Sequence, residues 1–191
     1  TPDEKSSAEK RVKIRNGSVM IYNGKYLTGY NSDTFDNIGN GTITIIKKQK
    51  LDFDIVIVEE FITGYIDSVH PKKKEFANLI AAGDSVVSLE KTESNDPIVY
   101  SILDADGQPI GYEDLGEGAV NYYCNGDYVK LYYVNKKISG KIKSDFTRDD
   151  EHYIKIGNDE YLLSKSFDKY IGTAISKNTD VAIVLDMFGE V

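Results

Sequence analysis

The stretch 121–134 constrains the fold of this chain more than any other part of its sequence. The pair Asn125-Gly126 readily takes positive φ, which a two-residue hairpin turn requires. Past the turn, two sets of three side chains alternate: Val129, Leu131 and Tyr133 on one face, and Tyr128, Lys130 and Tyr132 on the other. Successive residues of a strand face opposite sides, so the pattern predicts two antiparallel strands with one packed face. Gly126 is predicted to have positive φ.

Similar strand-turn-strand patterns recur along most of the chain, and a second Asn-Gly turn lies at Asn23-Gly24. About a dozen short strands are predicted, at roughly the 8 to 12 residue spacing of sandwiches and barrels. The apolar run 54–58 is predicted to be a strand buried on both faces, with a separate strand at 61–69. Segment 74–82 is the best helix candidate, and 108–112 is predicted as a strand returning from a turn at 104–107.

The fold class predicted from these patterns is all-β. Short antiparallel strands are expected to form a sandwich or barrel-like domain at 12–136, followed by a small C-terminal β-barrel at 137–191. Residues 1–11 are polar and lack periodicity, so they are expected to be a flexible lead-in. No long helices alternate with the strands, which argues against a parallel α/β sheet.

Composition limits the classes of partner. The formal net charge of −8 argues against nucleic acid, because phosphate recognition requires a basic patch. Membrane insertion is not expected either, since no apolar run approaches the roughly 18 to 20 residues of a spanning helix. Lys72–Lys74 and Lys136–Lys137 are interpreted as solvated turn residues. The fourteen tyrosines instead favour a broad contact surface, because tyrosine is amphipathic.

No residue set specifies a reaction, so no catalytic, cofactor-binding or metal-binding residue is predicted. The single cysteine, Cys124, is interpreted as a small buried hydrophobe. His70 and His152 are too few and too far apart in the sequence to suggest a zinc site. The pattern Asp104-x-Asp106-Gly107 resembles half of a calcium loop, but its glycine comes too early, so a plain turn is favoured.

The order of several motifs resembles that of clostridial cell-surface proteins, in particular the β-rich modules found beside S-layer homology or copper-amine-oxidase-like N-terminal domains. The motifs that carry the resemblance lie at 19–25, 41–45, 54–58, 65–69, 139–142, 156–161 and 184–191. Such modules often have an acidic, glycine-rich loop before the Asp-aliphatic strand. Segment 46–54 is instead mostly basic or apolar here, which argues against calcium in that loop.

The resemblance implies a non-enzymatic structural or interaction module of a bacterial cell-surface, S-layer-type protein. A virion structural protein, such as a capsid decoration, tail or baseplate component, is the alternative, and a carbohydrate-active β protein is the third interpretation. The expected partners are protein subunits or neighbouring domains of a larger assembly. Tyr128, Lys130 and Tyr132 form the candidate interaction face, because tyrosines are favoured interface residues.

Overall fold

A computed structural model describes residues 12–31, 33–36, 38–78, 85–91, 96–126, 128–171 and 175–191. The all-β prediction is confirmed: strands make up most of the regular structure of the described residues, and helices only a small part. The strands form one sheet of nine and one of four. The predicted lead-in at 1–11 lies outside the described residues, as does the end of the helix candidate, 79–82.

The described residues form thirteen strands and two short α-helices. The elements are β1 (Val19–Tyr22), β2 (Lys25–Leu27), α1 (Asp33–Asp36), β3 (Asn40–Ile46), β4 (Ile55–His70), β5 (Glu75–Asn78), β6 (Ser85–Ser88), β7 (Val99–Leu103), β8 (Gly118–Cys124), β9 (Tyr128–Val134), β10 (Lys137–Arg148), β11 (Glu151–Ile156), β12 (Asp159–Leu162), α2 (Lys165–Ile171) and β13 (Asp180–Val184). A short 3-10 helix spans Tyr112–Asp114.

The chain divides into two compact units. Unit 1 comprises residues 1–37 and 42–59, and unit 2 comprises 38–41 and 60–191. The boundary predicted near residue 136 coincides instead with the change from the nine-stranded to the four-stranded sheet, since β9 ends at Val134 and β10 begins at Lys137.

Unit 1 is organised around β1. This strand pairs antiparallel with β2 and parallel with the first residues of β4. Asn23 (φ 47°) and Gly24 (φ 80°) both have positive φ between β1 and β2, so the predicted Asn-Gly turn is confirmed. Met20, Val56 and Val58 are fully buried. Ile55 and Ile57 are only half-buried, so the expectation that 54–58 is buried on both faces was wrong.

In unit 2 the strands β4, β8, β9 and β7 lie side by side, and β5 and β6 extend the sheet beyond β4. One face of this sheet packs into a core that includes Ile66, Phe76, Val120, Tyr122 and Leu131. The predicted hairpin is confirmed, because β8 and β9 pair antiparallel from Ala119↔Val134 to Cys124↔Val129.

The turn of this hairpin is displaced by one residue from the predicted position. Gly126 has positive φ (106°), as predicted. However, the Asn125 N–H donates to the Tyr128 carbonyl at 3.0 Å, so Asn125 closes the turn and is not one of its two central residues. The pairing puts Val129, Leu131 and Tyr133 in the core, as the alternation predicted.

The second sheet of unit 2 has the strand order β12-β11-β10-β13, with all pairs antiparallel. The long β10 pairs with two strands. Its first residues pair with β13 and its later residues with β11, and the register of the β11 pairing shifts between Ile142 and Ser144. Ile142, Ile154 and Ile183 form the centre of its core, against which Phe167 of α2 packs.

Three local predictions were wrong. The pairs β1–β4 and β7–β9 are parallel, although short antiparallel strands were expected. The two strands predicted at 54–58 and 61–69 are one continuous strand of 16 residues, β4. Residues 75–78 of the helix candidate form β5, because Phe76 and Asn78 are buried at alternate positions of the pairing with β4.

Gly118, at the start of β8, is a position where the packing leaves no room for a side chain. A Cβ there would lie 2.6 Å from the Tyr133 ring and 2.7 Å from the Val134 carbonyl oxygen. Gly118→Ala is therefore expected to lower the free energy of unfolding by about 2 kcal/mol, measured by urea denaturation. Gly39→Ala is the matched control, because its Cβ would meet nothing closer than 3.7 Å. Equal stability of the two variants would contradict the described packing.

Candidate functional site

The face of β4, β8 and β9 that points away from the core carries a cluster of aromatic rings, which we call the aromatic face. It consists of Phe61, Tyr123, Tyr128, Lys130, Tyr132 and Phe188. Phe61 is its centre, with ring centroids 5.6 Å from Tyr123, 5.6 Å from Tyr132 and 6.2 Å from Phe188. The strand period of two brings Tyr128, Lys130 and Tyr132 to one face with Tyr123, the direct partner of Lys130 in the β8–β9 pairing. Phe188 reaches the Phe61 ring from the turn after β13.

Burial differs across the aromatic face. Phe61 and Tyr123 are only 5% and 4% exposed. Tyr128, Lys130 and Tyr132 are half-buried, and the Lys130 ammonium lies 5.4 Å from the centroid of the Tyr132 ring. The structure thus brings the three sequence-predicted residues together on one face, above a buried aromatic layer that holds them in place.

Next to the aromatic face lies a buried polar cluster formed by Asn121, Thr63 and Asp186. The Asn121 side-chain amide donates to Asp186 Oδ2 and to Thr63 Oγ1, both at 2.9 Å. The Asn121 side-chain oxygen accepts the Met187 N–H at 3.0 Å. Asn121 therefore fastens the turn that begins at Asp186 to the sheet.

The carboxylate of Asp186 is fully engaged. Its second oxygen, Oδ1, accepts the backbone N–H groups of Phe188 at 2.9 Å and Glu190 at 3.0 Å. A buried carboxylate with this many donors is satisfied without a counter-ion. Its hydrogen bonds to Phe188 and Glu190 are those of a turn-forming carboxylate.

Glu190 lies beside this cluster. Burial and the neighbouring charge of Asp186 raise the pKa of its carboxyl, against the hydrogen bond that it accepts from Asn40 at 3.2 Å. Asn40 also donates to Thr63 at 2.9 Å. The carboxyl of Glu190 therefore retains its proton to higher pH than an ordinary glutamate.

A cavity of about 320 Å³ opens beside the polar cluster. Its wall is mostly apolar and includes Ala119, Phe167, Ile183, Val184, Val191, Lys137 and Asp186. The volume is within the range of small-molecule sites. Thr63 also lines the cavity, and its hydroxyl donates to Asp186 Oδ2 at 3.4 Å, so the polar side of the wall belongs to the polar cluster.

The acidic sequence motif at 104–107 forms a turn in which one carboxylate binds the backbone. Asp104 Oδ1 accepts the N–H groups of Asp106 at 2.9 Å and Gln108 at 2.8 Å, and Gly107 has positive φ. The predicted turn is confirmed, but its continuation at 108–112 contributes only a bridge at Pro109. Among the described residues, no three His, Cys, Asp or Glu side chains are grouped so that they could hold a metal ion.

Cys124 was expected to be buried, and this prediction was wrong. It is the last residue of β8, next to the turn, and it is exposed.

Neither the protein-family models, nor the curated proteins, nor the solved structures gave a significant match to the chain. Within the part of the chain that the structure describes, no helix combines the length and the apolar composition needed to span a membrane.

The polar cluster was missed by the sequence reasoning. One signal was present: Asn121 is a polar residue in the first arm of a hairpin of otherwise aromatic and apolar residues. A buried amide in such a position needs partners, but neither Thr63 nor Asp186 could be identified as its partner from the sequence pattern alone.

Proposed function

We propose that this chain is a non-catalytic structural and interaction module that contacts a neighbouring protein subunit or domain through Tyr128, Lys130 and Tyr132. The single observation that carries the proposal is that these three side chains are half-exposed on top of a buried aromatic layer. Prepositioned tyrosines provide contact area at little cost in side-chain conformational entropy.

The arrangement has the composition of an interface centre. Interfaces are enriched in tyrosine and phenylalanine and depleted in most charged residues. Tyr132 is held by the edge of the Phe61 ring, with an interplanar angle of 83°, and Tyr128 by the edge of the Tyr123 ring, with an angle of 60°. A partner would therefore meet rings whose orientation is already set, which favours affinity.

The setting that we propose is an assembly on the surface of a Gram-positive cell, supported by the resemblance of the sequence motifs to clostridial surface modules. A virion is the alternative setting, and there the same face would contact neighbouring subunits. In both settings the chain would use Tyr128, Lys130 and Tyr132, and only the partner would differ. The same two variants therefore test both settings.

The double substitution Tyr128→Ser and Tyr132→Ser is expected to weaken association at least tenfold while the isolated chain stays folded. The measurement is co-sedimentation of the purified chain with the envelope fraction of its host or, for the alternative, with purified particles. Near- and far-UV circular dichroism of the same samples reports on folding.

Tyr26→Ser is the matched control, because Tyr26 is 66% exposed on β2 and lies outside the aromatic face. It is expected to co-sediment as the unsubstituted chain does. If the double variant unfolds, the two tyrosines are part of the core; if it co-sediments normally, the partner binds elsewhere. Either result would overturn the proposal.

A further inference from the structure

Unit 1 carries a cluster of basic residues that the sequence distributes over two segments. We call Lys13, Arg15, Lys47, Lys48 and Lys50 the basic patch. The Arg15 guanidinium donates to the backbone carbonyls of Leu51 and, at 3.3 Å, of Lys48. The Lys47 ammonium donates to the Lys13 carbonyl. These hydrogen bonds hold the two segments together, so the five charges belong to one surface.

A buried carboxylate beneath the basic patch neutralises part of its positive charge. The buried Asp54 carboxylate lies 2.8 Å from Arg15 Nε and 3.8 Å from Lys47 Nζ. The backbone N–H of Arg15, its guanidinium and Lys47 hold the pKa of Asp54 below its usual value despite its burial. Lys13, Lys48 and Lys50 are exposed, and exposed Asp52 in the same loop offsets one of them. The patch therefore presents a net positive charge to solvent.

The two units differ in charge. Unit 1 contains nine lysines and arginines and eight acidic residues, which leaves +1. Unit 2 contains fourteen basic and twenty-three acidic residues, which leaves −9. The chain thus combines a basic surface on one unit with a strongly acidic second unit.

We propose that the basic patch is a docking surface for the acidic unit 2 of a second copy of this chain. Charges farther apart than about 8 Å are largely screened at physiological salt, so the contact requires the basic patch to meet acidic side chains of unit 2 at short range. The contact joins two different surfaces, and such head-to-tail contacts propagate into rings or filaments. The basic patch lies on unit 1 and the aromatic face on unit 2, so the two proposals are tested by different substitutions.

The test is analytical ultracentrifugation of the full chain at low and high salt. At about 50 mM salt the weight-average mass is expected to rise with protein concentration, and at about 500 mM salt to return to that of the monomer. The triple variant Lys13→Glu, Lys48→Glu and Lys50→Glu is expected to stay monomeric at both. The matched control, Lys72→Glu, Lys73→Glu and Lys136→Glu, reaches the same net charge of −14 from −8 and should still associate.

A mixing experiment tests whether the basic patch binds unit 2 of a second copy. The patch variant retains the acidic unit 2, so it is expected to bind the unsubstituted chain and to stop its growth at small complexes. Three results would overturn the proposal. The unsubstituted chain could be monomeric at low salt, or the control variant could lose association as fully as the patch variant. In the mixture, the patch variant and the unsubstituted chain could fail to bind each other. The last result would be expected if the patch instead binds an anionic polymer, which titration with polyphosphate would show.

Discussion

Asn121→Leu is expected to lower the free energy of unfolding by about 3 kcal/mol, the largest effect of any single substitution proposed for this protein. Asn121 is fully buried and makes three hydrogen bonds, two as donor to Asp186 and Thr63 and one as acceptor from Met187. Leucine has the same branching and the same number of heavy atoms but can make none of the three. The Met187 N–H loses its acceptor, and the buried Asp186 carboxylate loses its amide donor. A buried polar or charged group that is left without its hydrogen-bond partner destabilises the folded state strongly.

Urea denaturation followed by tyrosine fluorescence measures the effect. Asn158→Leu is the matched control, since Asn158 is exposed and its side-chain oxygen accepts only a long, 3.5 Å hydrogen bond from exposed Lys143. That substitution should change the stability by less than about 0.5 kcal/mol. If Asn121→Leu is as mild as the control, the turn at Asp186 is not fastened to the sheet through Asn121.

The parts of the fold that were predictable are those specified within a few residues. Asn23-Gly24 and the turn at Gly126 combine positive φ with flanking alternation, so sequence neighbours alone define both hairpins. The alternation at 128–133 likewise predicted which side chains enter the core. The exact position of the second turn was less certain because Asn125 suits both the closing and the central position of a turn.

The parts that were not predictable depend on partners distant in sequence. The parallel pairing of β7 with β9 joins Val99 to Tyr128, and no local pattern distinguishes that partner from an antiparallel neighbour. The helix candidate 74–82 has helical spacing of apolar residues, but the pairing of 75–78 with the end of β4 puts Phe76 and Asn78 on the buried side. Tertiary context decided the conformation there.

The candidate site likewise has one part that the sequence predicts and another that depends on residues distant in the sequence. Tyr128, Lys130 and Tyr132 are two residues apart along one strand, so a period of two was enough to place them together. The polar cluster joins Asn121 to residues 58 and 65 positions away, Thr63 and Asp186. Only the three-dimensional structure brings such residues into contact.

His152 lies between two carboxylates from different elements. Its Nδ1 is 2.5 Å from Asp168 Oδ1 on α2, and its Nε2 contacts Asp145 Oδ1 on β10. Asp145 also accepts the Ile175 N–H at 3.1 Å, so the imidazole connects α2, the β10–β11 hairpin and the segment that leads to β13. Hydrogen bonds to Asp168 and Asp145 raise the pKa of His152 above its ordinary value, against the opposing effect of burial.

This contact makes the stability of the protein pH-dependent in a defined direction. Because the pKa of His152 is higher in the folded than in the unfolded chain, its contribution is fully present below about pH 6.5. It is lost as the pH rises through the folded-state pKa. At pH 6 the protein is therefore expected to be more stable than His152→Gln by about 1 kcal/mol, a value that allows for the exposure of Asp168. The difference should shrink at pH 9.

The measurement is the difference in free energy of unfolding between the two chains at pH 6, 7, 8 and 9, with NMR titration of the imidazole resonances. His70→Gln is the matched control, since His70 lies exposed at the end of β4. Asp168→Asn should lower the pKa of His152 because it removes one of the two carboxylates but leaves the imidazole in place. A stability difference that is constant with pH, or an unchanged titration in Asp168→Asn, would show that the imidazole does not hold its proton between the two carboxylates.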